Sequence, residues 1–170
     1  ELEKYCADND ISVRAAIAQG LAESESPAPS LIRLLSKDSS PSVRALAASA
    51  FSRSDEARKA IIELSADKDF DVRRLACSTL GKYADDDAVE ALIKRLTDEC
   101  VYVRDAAEDS IVAINPADKF ITQIETACLD DGVGRDSAVR IFGLLGKKQF
   151  SGKITAILSS SGSEETKVRA

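Results

Sequence analysis

The chain of 170 residues contains no His, no Trp and no Met, and its aromatics are limited to five Phe and three Tyr. Each absence removes a class of function. Without His there is no Ser-His or Cys-His nucleophile pair and no imidazole metal ligand. The shortage of aromatics beside 25 Ala disfavours a β-sandwich and favours closely packed helices. No stretch reaches the roughly 18 consecutive apolar residues of a membrane span, and the N-terminus lacks a signal-peptide pattern. Because the chain opens at Glu1 rather than Met, it reads as a trimmed fragment, which leaves a removed leader open. The 29 acidic residues outnumber the 23 Lys and Arg, giving a net charge of −6. An acidic chain is a poor candidate for wrapping phosphate backbones. Cys6, Cys77, Cys100 and Cys128 show no CxxC spacing. They read as reduced thiols of a cytoplasmic protein, with a long-range disulfide as the alternative.

What the chain does have is a repeat. Val-Arg recurs at Val13-Arg14, Val43-Arg44, Val72-Arg73, Val103-Arg104 and Val168-Arg169, with Gly134-Arg135 fitting the same register. The six Arg are separated by 30, 29, 31, 31 and 34 residues. Asp8, Asp38, Asp67 and Asp98 stand five residues before the first four Val; Asp130 is displaced by one, and Ser163 replaces the last. Four residues after the Val come Ile17, Ala47, Ala76, Ala107 and Ala138, and eight after it Leu21, Phe51, Leu80, Ile111 and Phe142. Val139-Arg140 is out of register and is set aside.

Apolar positions at 0, +4 and +8 make a helical stripe, so an amphipathic helix follows each Asp. These second helices are expected over 11–23, 41–52, 70–83, 101–114 and 134–146. First helices are expected over 29–35, 55–64, 86–96 and 116–128, with a weaker one near 153–158. Ser54, Asp85 and Asn115 stand at N-cap positions, and Pro29 and Pro116 suit a first turn. A helix pair of this size cannot bury its apolar face alone, so the pairs must stack. The expected fold is an all-α solenoid of stacked antiparallel helix pairs, one array over 1–170. Small side chains at +4 would let neighbouring helices approach closely.

The segment Asp85-Asp86-Asp87-Ala88-Val89-Glu90-Ala91-Leu92-Ile93-Lys94-Arg95-Leu96-Thr97-Asp98, followed by Val103-Arg104 and Ala107, resembles a HEAT repeat. The likeness is to the short form found in the phycobilisome-lyase-like HEAT family, and it extends over essentially the whole chain. The array, the acidic balance and the absence of a catalytic constellation point to a non-catalytic scaffold binding another protein along its concave face. The alternative that the resemblance implies is help in attaching or detaching a bilin on a phycobiliprotein, although no chromophore residue can be pointed to. The basic concave face of HEAT-like DNA glycosylases has no counterpart in this acidic chain, so neither nucleic acid nor membrane is an expected partner. No cofactor and no metal site is expected.

The recurrent charges, Asp8, Arg14, Asp38, Arg44, Asp67, Arg73, Asp98, Arg104 and Arg135, admit two readings. They could clamp an anion. Their repetition in step better suits a structural ladder, with Asp capping the second helix and Arg reaching a neighbouring turn. Asp85 to Asp87 read as charges at a helix N-terminus and Asp130-Asp131 as a solvated turn. Offsets +2 and +6 should face out on the concave side. With Glu108 added, they give Gln19, Ser49, Arg74, Ser78, Asp105, Glu108, Asp109, Asp136 and Arg140 as the candidate partner-binding set. This mostly acidic patch suits a partner with a basic or mixed-charge surface. The chain opens inside a first helix (Leu2, Tyr5, Cys6) and stops early in a second. Apolar residues should therefore be exposed at both ends, inviting a longer array or end-to-end self-association.

Overall fold

The structure, a computed structural model, describes residues 1–129, 132–146, 152 and 154–155. The expectations for Asp130, Asp131, the weak helix near 153–158, Ser163 and Val168-Arg169 lie outside them. A short 3-10 helix (Leu2–Ala7) precedes α1 (Ile11–Glu23), α2 (Pro29–Leu35), α3 (Pro41–Ser49), α4 (Asp55–Leu64) and α5 (Phe70–Leu80). Then come α6 (Asp86–Ile93), α7 (Val101–Ile114), α8 (Lys119–Leu129) and α9 (Gly132–Leu145). The described residues contain no strand.

Odd-numbered helices α1 to α9 pack consecutively on one another, and even-numbered α2 to α8 form a second, looser layer. The fold is an α-solenoid. Its core runs between the layers as a continuous band. Val43, Val72 and Val103 are buried, as are Ala47, Ala76, Ala107 and Ala138 four residues on. From the first helices come Ile32, Leu35, Ile61, Leu64, Leu92, Ile121 and Ile124, and from the turn after α6 Leu96. Ala in the +4 column leaves no side chain to hold the second helices apart, and that layer is accordingly the closer packed.

Local chemistry sets the helix starts. The Ser54 hydroxyl accepts the Ala57 amide at 3.1 Å, and Asp85 accepts that of Ala88 at 2.9 Å. Pro29 and Pro41 open their helices, where the missing amide hydrogen is no loss. Asn115 departs from expectation. It ends α7 in the left-handed region (φ 49°) rather than opening α8, a conformation its side chain tolerates better than most. Helix α8 therefore starts only at Lys119, and Pro116 is buried in the connection. Second helices α3 and α5 stop three residues short of their expected ends, so Phe51 sits past the end of α3, edge-on to Tyr83 at 4.9 Å. Helix α6 likewise gives way to turns after Ile93.

Gly134 replaces the column Val for a packing reason. A Cβ there would come within 2.9 Å of the Cys128 Cα and 3.1 Å of Thr97 Cγ2. The α8–α9 approach is closer than a side chain permits, so the fifth unit departs from the pattern because its two helices meet more tightly.

Two substitutions test this packing. Ala76→Leu should overpack the second-helix layer, and Gly134→Val, which restores the repeat pattern, should force α8 and α9 apart. Each is expected to cost roughly 1–3 kcal/mol in urea unfolding. An unchanged midpoint for Gly134→Val would mean that the α8–α9 contact yields freely.

Candidate interaction face and the Asp-Arg ladder

The Asp and Arg columns meet across unit boundaries. Arg14 Nε donates to Asp38 Oδ2 at 2.6 Å and its Nη2 to Asp38 Oδ1 at 3.2 Å. Arg44 grips Asp67 in the same two-pronged way at 2.7 and 2.8 Å, and Arg73 grips Asp98 at 2.9 and 2.9 Å. The third guanidinium nitrogen of each turns back to its own unit. Arg14, Arg44 and Arg73 donate from Nη1 to the carbonyls of Asp8, Asp38 and Asp67 at 2.6, 2.9 and 2.9 Å. Arg104 repeats the backward half, donating to the Asp98 carbonyl at 2.7 Å. Position 130, its forward counterpart, lies outside the described residues. Arg135 is half-buried on α9.

The ladder Asp does not itself cap the second helix, as had been expected. Asp8, Asp38, Asp67 and Asp98 instead accept the amide two residues on, at 2.8, 2.8, 2.9 and 3.0 Å, which folds the turn. The N-cap position is that residue two further on, Asp10, Ser40, Asp69 or Cys100, and of these the Asp10 and Asp69 side chains accept a helix amide. Each of the four carboxylates thus shapes its own turn, and those of Asp38, Asp67 and Asp98 also receive the arginine of the unit before. Burial alone would raise the carboxyls of Asp38, Asp67 and Asp98, but the arginine and amide hydrogen bonds outweigh it and hold all three below the usual carboxylate range.

The outer layer carries ion pairs of its own that the sequence reading missed. Arg33 meets Glu63 at 2.6 Å and Arg58 meets Asp85 at 2.7 Å, while Lys119 pairs with Asp86. Opposite charges close to one period apart were the available signal.

The candidate partner-binding residues divide. Asp105 and Asp109 are exposed on α7, and Arg74 is partly exposed on α5, paired with Asp71 at 3.3 Å. The Ser49 and Ser78 hydroxyls donate to carbonyls of their own helices, and Gln19 bonds Glu23. Asp136 is half-buried. Glu108 is corrected: at 4% exposure it lies inside the stack, bound by Arg140 at 2.8 Å, and presents nothing to a partner. Arg140, reaching from α9 to α7, also contacts Asp109 at 3.0 Å and Asp105 at 3.5 Å, so the patch is partly neutralised from within. A column that had not been singled out, Ile11, Pro41, Phe70 and Val101, is exposed two residues before each Val. Its even spacing was the missed signal.

Cys77 and Cys128 are buried free thiols whose pKa burial pushes up to about 12, which makes poor nucleophiles of them. Among the described residues no cluster of His, Cys, Asp and Glu could hold a metal ion, and no helix is long and apolar enough to cross a membrane.

Stacked antiparallel helix pairs locked by a periodic Asp-Arg ladder define an α-helical repeat protein. The family model for HEAT repeats matches residues 28–112 and again 58–140, together about two thirds of the chain. The chain belongs to the HEAT repeat family. It is similar to two crystal structures of engineered proteins from the Northeast Structural Genomics Consortium. One is 18% identical with a TM-score of 0.60, covering 99% of this chain and 93% of that one. The other is 21% identical with a TM-score of 0.59, covering 99% and 91%. No curated protein matches the chain.

The ladder predicts how stability responds to mutation and acid. Arg73→Ala leaves the buried Asp98 carboxylate without its main partner and should cost roughly 3–5 kcal/mol. The depressed ladder carboxyls mean that the unfolded chain takes up protons first as pH falls. Their contribution is full above the unfolded carboxylate value of about 4 and is lost as pH drops through the lower folded value. Urea midpoints between pH 6 and 3 should therefore decline, and less steeply in Asp98→Asn; parallel profiles would remove Asp98 from the acid response.

Proposed function

We propose that the chain is a non-catalytic scaffold that holds another protein along the exposed face of its second helices. HEAT repeats generally mediate protein interactions, and that gives the reading its class. The observation that carries it is the contrast along this face. Near the start the +2 and +6 positions are Ala15, Gln19, Ala45 and Ser49, whereas Arg74, Asp105 and Asp109 form a charged field further on. Among the described residues Arg74 pairs with Asp71 and Arg140 with both Asp105 and Asp109, which leaves the field one carboxylate in excess and suits a basic or mixed-charge partner. The bilin alternative rests on the likeness of the repeat alone.

A second reading, end-to-end association, draws on a different observation. The first end of the stack holds an open apolar trough of about 800 Å³ lined by Leu2, Tyr5, Val13, Ile17, Leu21 and Leu31. The carboxylate of Asp8, the homologue of those of Asp38, Asp67 and Asp98, receives no arginine hydrogen bond among the described residues. A further helix pair bringing an arginine would fill both.

Affinity capture tests the first reading. The wild-type chain should retain a partner that the Arg74→Ala, Asp105→Ala, Asp109→Ala variant loses with its melting unchanged; equal retention would move the contact off this face. Sedimentation velocity tests the second. Association should rise with concentration and fall in Asp8→Asn, and a monomer at all concentrations overturns it.

A further inference from the structure

The exposed face of the second helices carries a feature that the charges do not explain. The first residue of each of four successive second helices, Ile11, Pro41, Phe70 and Val101, is exposed. The three large ones are 45%, 44% and 44% exposed. Residues four apart share a helix face, so this column lies one turn above the +2 positions and two above +6. The face is therefore an apolar rail beside a polar field. Between α3 and α5 the two join in a groove of about 500 Å³ lined by Pro41, Ala45, Leu46, Asp71, Arg74 and Leu75.

The spacing of the rail selects its occupant. Packed helices stand about 8–10 Å apart, so successive rail residues recur at about that interval. An extended chain of polyproline-II type rises about 3.1 Å per residue and turns once every three, so each third side chain, about 9.3 Å on, faces the same way. A helix, at 1.5 Å per residue, returns the same face only every seven residues, about 10.5 Å on, and overshoots an interval of about 8–10 Å at each step. The rail is bordered by Asp10, Asp69, Asp71, Glu99 and Asp105, which outnumber Arg74 and Arg140, the arginines paired with Asp71 and Asp105, so the complementary charge is positive.

We infer that this face binds an extended peptide segment of a partner, running across the helices, with an apolar residue at every third position and Lys or Arg between. The inference rests on the binding-face reading above and names the chemistry of its partner. Phe70 and Val101 grip the apolar side chains, and Asp71 and Asp105 meet the basic ones.

The test is fluorescence anisotropy with a labelled twelve-residue peptide of four Leu-Lys-Ser triplets. Two isomers of the same composition serve as controls, one with Leu at one end and one with Leu at helical spacing. The triplet peptide should bind saturably and at least tenfold more tightly than either isomer. Phe70→Ser with Val101→Ser should weaken it at least tenfold with melting unchanged, since both side chains are exposed. Equal binding of an isomer, an unaffected double variant, or no binding of the triplet peptide overturns the inference. Should the peptide fail while the affinity capture still depends on Arg74, Asp105 and Asp109, the binding face stands and only the extended-peptide assignment falls.

Discussion

A pair of helices spanning about thirty residues exposes an apolar face that it cannot cover by itself, and only another pair of the same kind fits it. The structure follows from that constraint. Every second helix except those at the ends is buried on two sides by the second helices before and after it, so its contact columns must suit both neighbours. That requirement explains the small residues at Ala47, Ala76, Ala107 and Ala138, all fully buried. It explains equally why Gly134 interrupts the Val column where α8 and α9 meet most tightly.

Apolar stacking is tolerant of sliding, and the Asp-Arg ladder supplies the missing register. Arg14, Arg44 and Arg73 each use all of the planar fork: two nitrogens on the carboxylate of the next unit and one on a carbonyl of their own. Because the same carboxylate also orders its own turn, a shift of one unit against the next would disturb a turn as well as an ion pair. The outer pairs Arg33–Glu63 and Lys119–Asp86 are far more exposed and contribute correspondingly less. With the packing and the register met by buried columns, the outward face of the second helices is free to vary. Its rail and its charged field are the part of the molecule that the fold does not need, which is why a binding role is placed there.

The repeat, the helix pairs and the buried columns were legible in the sequence because each is local or periodic. The caps at Ser54 and Asp85 were legible because a side chain accepting an amide three residues ahead is a local event. Asn115 was misread because the same residue type serves at either end of a helix, and which end is decided by where α7 stops. Glu108 was assigned to the surface because helical phase alone leaves it at the margin of the face; the arginine from α9 draws that margin inside. The exposed column of Ile11, Pro41, Phe70 and Val101 escaped because apolar residues at a helix start read as core.

What the sequence determined by itself was the unit, its period and its polarity, since these follow from helical spacing and residue size within a stretch of about thirty residues. Tertiary structure alone decided which atoms of one unit meet which of the next. That Arg73 reaches forward to Asp98 while also holding the carbonyl of Asp67 behind it depends on the offset between stacked helices. So does the closeness that requires a glycine at position 134, because distances between units are fixed by the packing of many side chains at once rather than by any local stretch.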